Sequence, residues 1–274
     1  MVDLIRQLTE AVGFIKQRTD FQPDYGIILG TGLGNLVSDM QIEQEINYSV
    51  IPHFQVSTVE SHSGKLIFGY IKGKKVVAMQ GRFHYYEGYT MEEVVFPVRV
   101  IKMLGIKTIF ISNAAGSLQA HINKGDLMII RDHINLQPSN PLVGYNEYEL
   151  GPRFPDLFQA YDKQLIDKAR AIAEKNNITC HTGVYVSMPG PVLETPAEYN
   201  YLHVIGGDAV GMSTVPEVLA CVHMGLPVFA ISVITDKGYP LDEIEPVTVE
   251  DVIAVAKQAE PKMTLILREL IGSL

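Results

Sequence analysis

Apolar residues at Leu4, Leu8, Val12 and Ile15 recur about once per helical turn, and this spacing predicts an amphipathic helix over residues 3–18. The pattern then changes from a once-per-turn repeat to short continuous apolar runs. Tyr25-Gly26-Ile27-Ile28-Leu29 predicts a buried strand. Two further runs, 65–71 and 75–80, flank Lys72-Gly73-Lys74 and predict a β-hairpin. More strands are expected at 108–112, 127–130, 183–188, 209–212 and 228–235. Between them, Thr90/Glu93, Thr195/Glu198 and Thr214/Glu217 each have the Thr-x-x-Glu spacing of a helix capping box. Pro196 fits a first helical position, where a missing N–H costs nothing. Gly105 and Gly225 fall where helices are expected to end. A last helix is expected from near Thr248 to the C-terminus, with Pro261 kinking it or splitting it in two.

Strands alternating with helices define an α/β protein. The hairpin makes the expected sheet mixed, flanked by helices, rather than purely parallel. No linker, repeat or low-complexity tract interrupts the chain, so residues 1–274 are read as a single domain. Residues 135–155 form a long connection rich in Pro, Gly, Asn and Tyr, and a loop of that length is more often functional or at an interface than idle.

Composition narrows the picture. A formal net charge of −9 argues against a nucleic-acid partner, yet leaves room for a local basic cluster that binds a small anion. Two cysteines without C-x-x-C spacing, Cys180 and Cys221, read as buried thiols in a reducing compartment. The sequence has no signal-peptide pattern and no apolar run of the roughly 20 residues that span a bilayer, so a soluble cytoplasmic protein with no membrane partner is expected. The histidines lack metal-ligand spacing, and no metal is expected.

Candidate chemistry gathers where apolar runs end. Leu29-Gly30-Thr31-Gly32-Leu33-Gly34 follows a strand but has Asn35 where a dinucleotide fingerprint needs its third glycine, and it is no P-loop. It is either a plain strand-to-helix turn or a turn whose N–H groups and Thr31 hydroxyl approach an anion. After the run 75–80, the chain reads Gly81-Arg82-Phe83-His84-Tyr85-Tyr86. If 82–86 stays extended, Arg82, His84 and Tyr86 share one face, combining a phosphate-matching fork of donors, a titratable ring and a phenol. His62, between Ser61 and Ser63, is a second candidate for an anion or proton contact. Asn113-Ala114-Ala115-Gly116-Ser117 offers small residues at a strand end, fit either for a ligand near backbone amides or for tight packing. Glu194 precedes a helix cap, as a dipole partner or as an acceptor for N–H groups of a planar ligand. Ser213 stands at another helix start beside Met212. Asp132-His133 reads as a structural hydrogen bond, because no nucleophile elbow accompanies it.

In order along the chain, GTGLG, ESHSGKL, QGRFHYYEGY, NAAGSL, the RDHINL to GPRFPDL region, GPVLET and GMSTVPE resemble the trimeric purine nucleoside phosphorylases. The resemblance covers nearly the whole chain. It implies phosphorolysis, in which phosphate displaces a purine from C1′ of ribose or deoxyribose, with no cofactor beyond that phosphate. It implies a phosphate site of Thr31, His62, Arg82, His84, Ala114 and Ser213. It implies sugar contacts from Tyr86, Met212 and Tyr185, and a base pocket of Leu193, Glu194, Val210 and Asp236. Phe154 matches an aromatic that reaches a neighbouring subunit's site, and a homotrimer follows from the same resemblance. His84, Glu194 and Asp236 are the expected catalytic groups.

Two positions depart from the family pattern. Asp236 stands where enzymes preferring 6-oxopurines usually carry asparagine. When protonated it could act as an acid at N7, and when ionised it suits a 6-amino group. Glu194 pulls the other way, because as a carboxylate it accepts from the N1–H of a 6-oxopurine. Val249 stands where many members carry a histidine at the 5′-hydroxyl, and Pro246-Val247-Thr248-Val249 is more similar to the methylthioadenosine phosphorylases. Three readings follow: a purine nucleoside phosphorylase with altered or broadened base choice, an enzyme preferring adenosine or methylthioadenosine, or a non-catalytic nucleoside-binding protein on the same scaffold.

Overall fold

A computed structural model describes residues 3–30, 34–55 and 64–274. The apolar runs form one nine-stranded sheet: β1 (Tyr25–Leu29), β2 (Gln41–Asn47), β3 (Lys65–Ile71), β4 (Lys74–Gln80), β5 (Thr108–Ser117), β6 (Leu127–Asn135), β7 (Cys180–Ser187), β8 (Ala209–Gly211) and β9 (Val228–Lys237). Around it lie α1 (Leu4–Lys16), α2 (Met91–Met103), α3 (Lys163–Lys175), α4 (Pro196–Val204), α5 (Val215–His223) and α6 (Val249–Gly272). The strand order is β2-β3-β4-β1-β5-β8-β7-β6-β9, and β9 pairs back onto β5. Half of the sheet therefore closes on itself as a ring, β5-β8-β7-β6-β9, while β1, β4, β3 and β2 extend from it as an open wing. The sheet is mixed, as expected: β1 runs parallel to β4 and β5, whereas β3 is antiparallel to β2 and β4. The β3–β4 hairpin turns on Lys72 (φ 50°) and Gly73 (φ 77°), two positive φ values that match the right-handed twist of paired strands.

Several local expectations need correction. Residues 113–117 do not follow a strand but lie inside β5, which stays extended because it pairs with β9 from Ile109 to Ser117, with one irregularity after Ala115. β6 likewise runs past Ile130 to Asn135, through an irregularity before Asp132. β2 was not anticipated, since its residues are mostly exposed and carry no clear alternation. α6 is one continuous helix through Pro261, not two. Cys221 is buried but Cys180 only half-buried, and both are free thiols.

The capping boxes at Thr90 and Thr195 form as read, each threonine side chain accepting from the N–H three residues on. The third does not. Thr214 makes no side-chain cap, and Glu217 turns inward instead. α6 packs against β9, and the core beneath it is apolar, including Ile231, Val233, Ile266 and Leu267. A second, smaller core gathers Leu118, Val186, Tyr199, Leu202 and Val210 beside the ring. Among the described residues no helix is long and apolar enough to cross a membrane.

Candidate active site

Gly81 (φ 108°) ends β4 and sends Arg82 into the interior, where it is 2% exposed. Two segments hold its guanidinium. Nε forms an ion pair with Glu217 Oε1 at 3.0 Å, and Nη1 donates to Ser213 Oγ at 3.0 Å. Nη2 is buried without a hydrogen-bond partner among the described residues. A buried donor on a fixed cation is costly unless something accepts from it, so this group is suited to an anion.

Extended backbone continues only to His84, and a 3₁₀ turn over Tyr85–Glu87 follows. The strict alternation expected over 82–86 therefore fails, but for His84 and Tyr86 its outcome survives, because the turn stacks Tyr86 on the His84 ring at 4.6 Å and 15°. Glu87 Oε1 accepts from the His84 backbone N–H at 2.9 Å and lies 3.0 Å from Nδ1. A carboxylate only accepts, so Nδ1 carries the ring proton. Burial lowers the His84 pKa and Arg82 adds to this, against the opposing pull of Glu87. The imidazole is thus neutral near pH 7, with a lone pair at Nε2.

Ser213 is positioned by an uncommon turn. Thr214 has φ 70° and ψ −54°, and Val215 N–H donates to Ser213 O at 2.8 Å, which makes a γ-turn of the rarer, strained kind. A β-branched residue at positive φ persists only when its surroundings over-determine it. Here Asn113 Nδ2 donates to Thr214 Oγ1 at 2.9 Å, Ser213 Oγ lies 3.2 Å from the same oxygen, and Ser187 Oγ donates to Ser213 O at 3.2 Å. The turn brings β8 to Arg82.

The middle of the site is set by close approaches. Tyr185 is fully buried, and its hydroxyl accepts from Ser213 N–H at 3.4 Å. Burial raises its pKa to about 12, and that of Tyr86 also to about 12. A side chain on Gly211 would collide with the Tyr185 hydroxyl and crowd the carbonyl of Ala114. One on Gly190 would meet Met212 and the ring of Tyr86, so these two residues face a common space.

At the other end, Asp236 lies in β9 and is 5% exposed. Thr235 Oγ1 donates to its Oδ1 at 2.8 Å, and Tyr199 OH to its Oδ2 at 3.4 Å. Glu194 is half-buried and is the other acidic neighbour of the same Tyr199. Burial raises the pKa of both acids, and the Asp236 charge raises that of Glu194 further. Gly116 leaves space for Asp236, and Val210 opposite it is buried in the small core with Tyr199.

The structure thus joins Arg82, His84, Tyr86, Ala114, Tyr185, Met212 and Ser213, and separately Glu194, Val210 and Asp236. Leu193 adjoins Glu194 and is 46% exposed, Phe154 is 87% exposed in the long loop, and Val249 is 67% exposed at the start of α6. Thr31 and His62 lie outside the described residues. Asp132 accepts from the His133 N–H, while the His133 ring pairs with Tyr161 OH at 3.0 Å, a structural arrangement. Sequence reasoning missed Glu217 and Tyr199. Glu217 did carry a signal, as the lone charge inside the apolar stretch Val215–His223, but its capping spacing masked it. Tyr199 carried none.

The site therefore has a fixed internal cation at one end and two acids at the other. The model of the Phosphorylase superfamily matches residues 24–272. Purine nucleoside phosphorylase 1 of Bacillus subtilis is 44% identical over 266 residues, 97% of this chain and 98% of that protein. Purine nucleoside phosphorylase of Bos taurus is 43% identical, covering 95% and 92% of the two chains. The crystal structure of Schistosoma mansoni purine nucleoside phosphorylase in complex with adenosine superposes with a TM-score of 0.93 at 41% identity, over 98% of each chain. The chain belongs to the purine nucleoside phosphorylases of that superfamily.

Proposed function

We propose that this chain is a pentosyltransferase that cleaves purine ribonucleosides and deoxyribonucleosides with phosphate, giving free purine and (deoxy)ribose 1-phosphate. The observation that carries the reading is the buried Arg82 guanidinium, bonded to Ser213 and with Nη2 left without a hydrogen-bond partner among the described residues. Related structures hold adenosine, hypoxanthine, or cytosine with ribose 1-phosphate.

The run Val210-Gly211-Met212-Ser213 supports an orientation. The order along it, through the end of β8 and the bend that follows, suits base at Val210, sugar at Met212 and phosphate at Ser213. Arg82, Ser213 and the Ala114 backbone hold the phosphate, with Thr31 and His62 assigned there by the family pattern. A neutral His84 accepts the proton of a protonated phosphate oxygen through Nε2. Tyr86, Tyr185 and Met212 contact the ribose, with Val249 at its 5′ end. Glu194, Asp236, Leu193 and Val210 form the base pocket.

As the glycosidic bond breaks, positive charge grows on the sugar and negative charge on the purine. The phosphate beneath C1′ stabilises the first, and with a 6-oxopurine a protonated Asp236 donating to N7 stabilises the second. Holding phosphate and C1′ in line supplies much of the remaining acceleration. Phosphate is the only co-reactant, and no cofactor is needed. The exposed Phe154 completes a neighbour's site in a homotrimer, and the enzyme works in cytoplasmic purine salvage.

Buried Asp236 and exposed, apolar Val249 favour a base and 5′ choice that includes 6-aminopurine nucleosides. A spectrophotometric assay with inosine, guanosine, adenosine and methylthioadenosine tests this. Phosphate-dependent release of free base is expected from both 6-oxo and 6-amino substrates. Inosine and guanosine far ahead of both adenosine compounds would refute the broadened choice. Binding without base release would leave the non-catalytic reading.

A further inference from the structure

On the phosphorylase reading the two acids make conflicting demands, and one hydroxyl lies beside them. Tyr199 is 4% exposed on α4, and its ring lies against Gly238, where a side chain would collide with it. Its OH is 3.4 Å from Asp236 Oδ2, and Glu194 is its other acidic neighbour. A tyrosine hydroxyl has one proton, so it donates to one carboxylate at a time while remaining able to accept from the other group. The other charged groups near this cluster are Glu198, Lys124 and Lys237. Glu198 is bound to its Thr195 cap, Lys124 to Glu245 at 3.2 Å, and Lys237 to Glu243 at 2.6 Å and the Ala120 carbonyl at 3.2 Å. None of these three brings a proton between the two acids.

We propose that Tyr199 is a specificity-determining positioning residue, whose hydroxyl lets Glu194 and Asp236 share one carboxyl proton and so fit both 6-oxo- and 6-aminopurines. With a 6-oxopurine, Glu194 is the carboxylate and accepts from N1–H and from Tyr199, while protonated Asp236 donates to O6 or N7. With a 6-aminopurine, protonated Glu194 donates to bare N1, and Asp236 is the carboxylate that accepts from the amino group, Thr235 and Tyr199. The two states interconvert when Tyr199 accepts a proton from one acid as it passes its own to the other, so the net charge does not change. Burial raises both acids and so favours keeping a proton on the pair.

Tyr199→Phe keeps the ring and removes the relay. Asp236 still has the Thr235 donor, so in this variant charge settles on Asp236 and the proton on Glu194. Inosine kcat/KM is expected to fall about tenfold, with adenosine falling less than about threefold. An equal loss on both substrates, or an unchanged ratio, overturns the proposal. In an Asp236→Asn background, Tyr199→Phe is expected to shift the ratio by less than about twofold, since the shared proton is already gone. A shift as large as in the parent overturns it.

A second measurement uses the unaltered protein. Hypoxanthine and adenine are titrated calorimetrically in two buffers of different ionisation enthalpy. Equal proton uptake by the two bases is expected, and uptake differing by about one proton overturns the shared-proton arrangement. If the unaltered protein releases no base from either nucleoside with phosphate, the phosphorylase reading itself has failed, a result distinct from all of these.

Discussion

Glu217 shows how much one residue can carry. It is 2% exposed and neutralises Arg82, so the guanidinium is ready for an anion without being unpaired in its absence. Glu217→Gln leaves that charge uncompensated, which typically costs about 3–5 kcal/mol. Phosphate partly replaces the missing charge. Scanning calorimetry is therefore expected to find a lower Tm in the variant and a larger phosphate-induced rise in Tm than in the parent. Asp236 works in the opposite sense. Its native pKa lies above the ordinary 3.8, mainly through burial, so between those two values the native state binds more protons than the unfolded chain. Stability therefore falls as pH rises through that window. Asp236→Asn removes this dependence and is expected to melt a few degrees higher near pH 7, with the two proteins converging below pH 3.8 in a Tm-versus-pH series.

At the scale of elements, β8 is short but joins every part of the site. Gly211 is where it can least change, because an added methyl would meet the buried Tyr185 hydroxyl and the Ala114 carbonyl. Overpacking of this kind costs about 1–3 kcal/mol. Gly211→Ala is expected to raise the KM for nucleoside and lower kcat together, since sugar and phosphate contacts shift as one, and steady-state kinetics on inosine would show it. Elements with a strong local code were legible in the sequence: β1, the β3–β4 hairpin, and the helices capped at Thr90 and Thr195 match their readings. Readings failed where distant pairing overrode local pattern. β5 continues through small residues because β9 holds it, and α6 is not split at Pro261 because its apolar face packs on β9. The Thr214 capping signal lost to a γ-turn held by Asn113, a residue 101 positions away. The site residues came from family resemblance, while Glu217 and Tyr199 act through contacts that no spacing encodes.

At the scale of the whole molecule, the connection from β6 to α3 exposes several large apolar side chains. Phe154 and Phe158 are each 87% exposed, with Tyr145, Tyr148 and Val143 also outward. A patch of that kind marks an interface more often than a free surface. Sedimentation is expected to give three times the 30.4 kDa chain mass, and Phe154→Ala to lower kcat/KM about tenfold while the assembly persists. A fully active monomer would contradict the shared site.

The closed ring β5-β8-β7-β6-β9 has a further effect on how the molecule opens. A strand within it has no free side from which to peel, whereas β2 at the far margin has one. Local unfolding therefore begins at β2 and spares the ring. Amide protons of β5 and β9 beside the base pocket are therefore expected to exchange with solvent more slowly than those of β2.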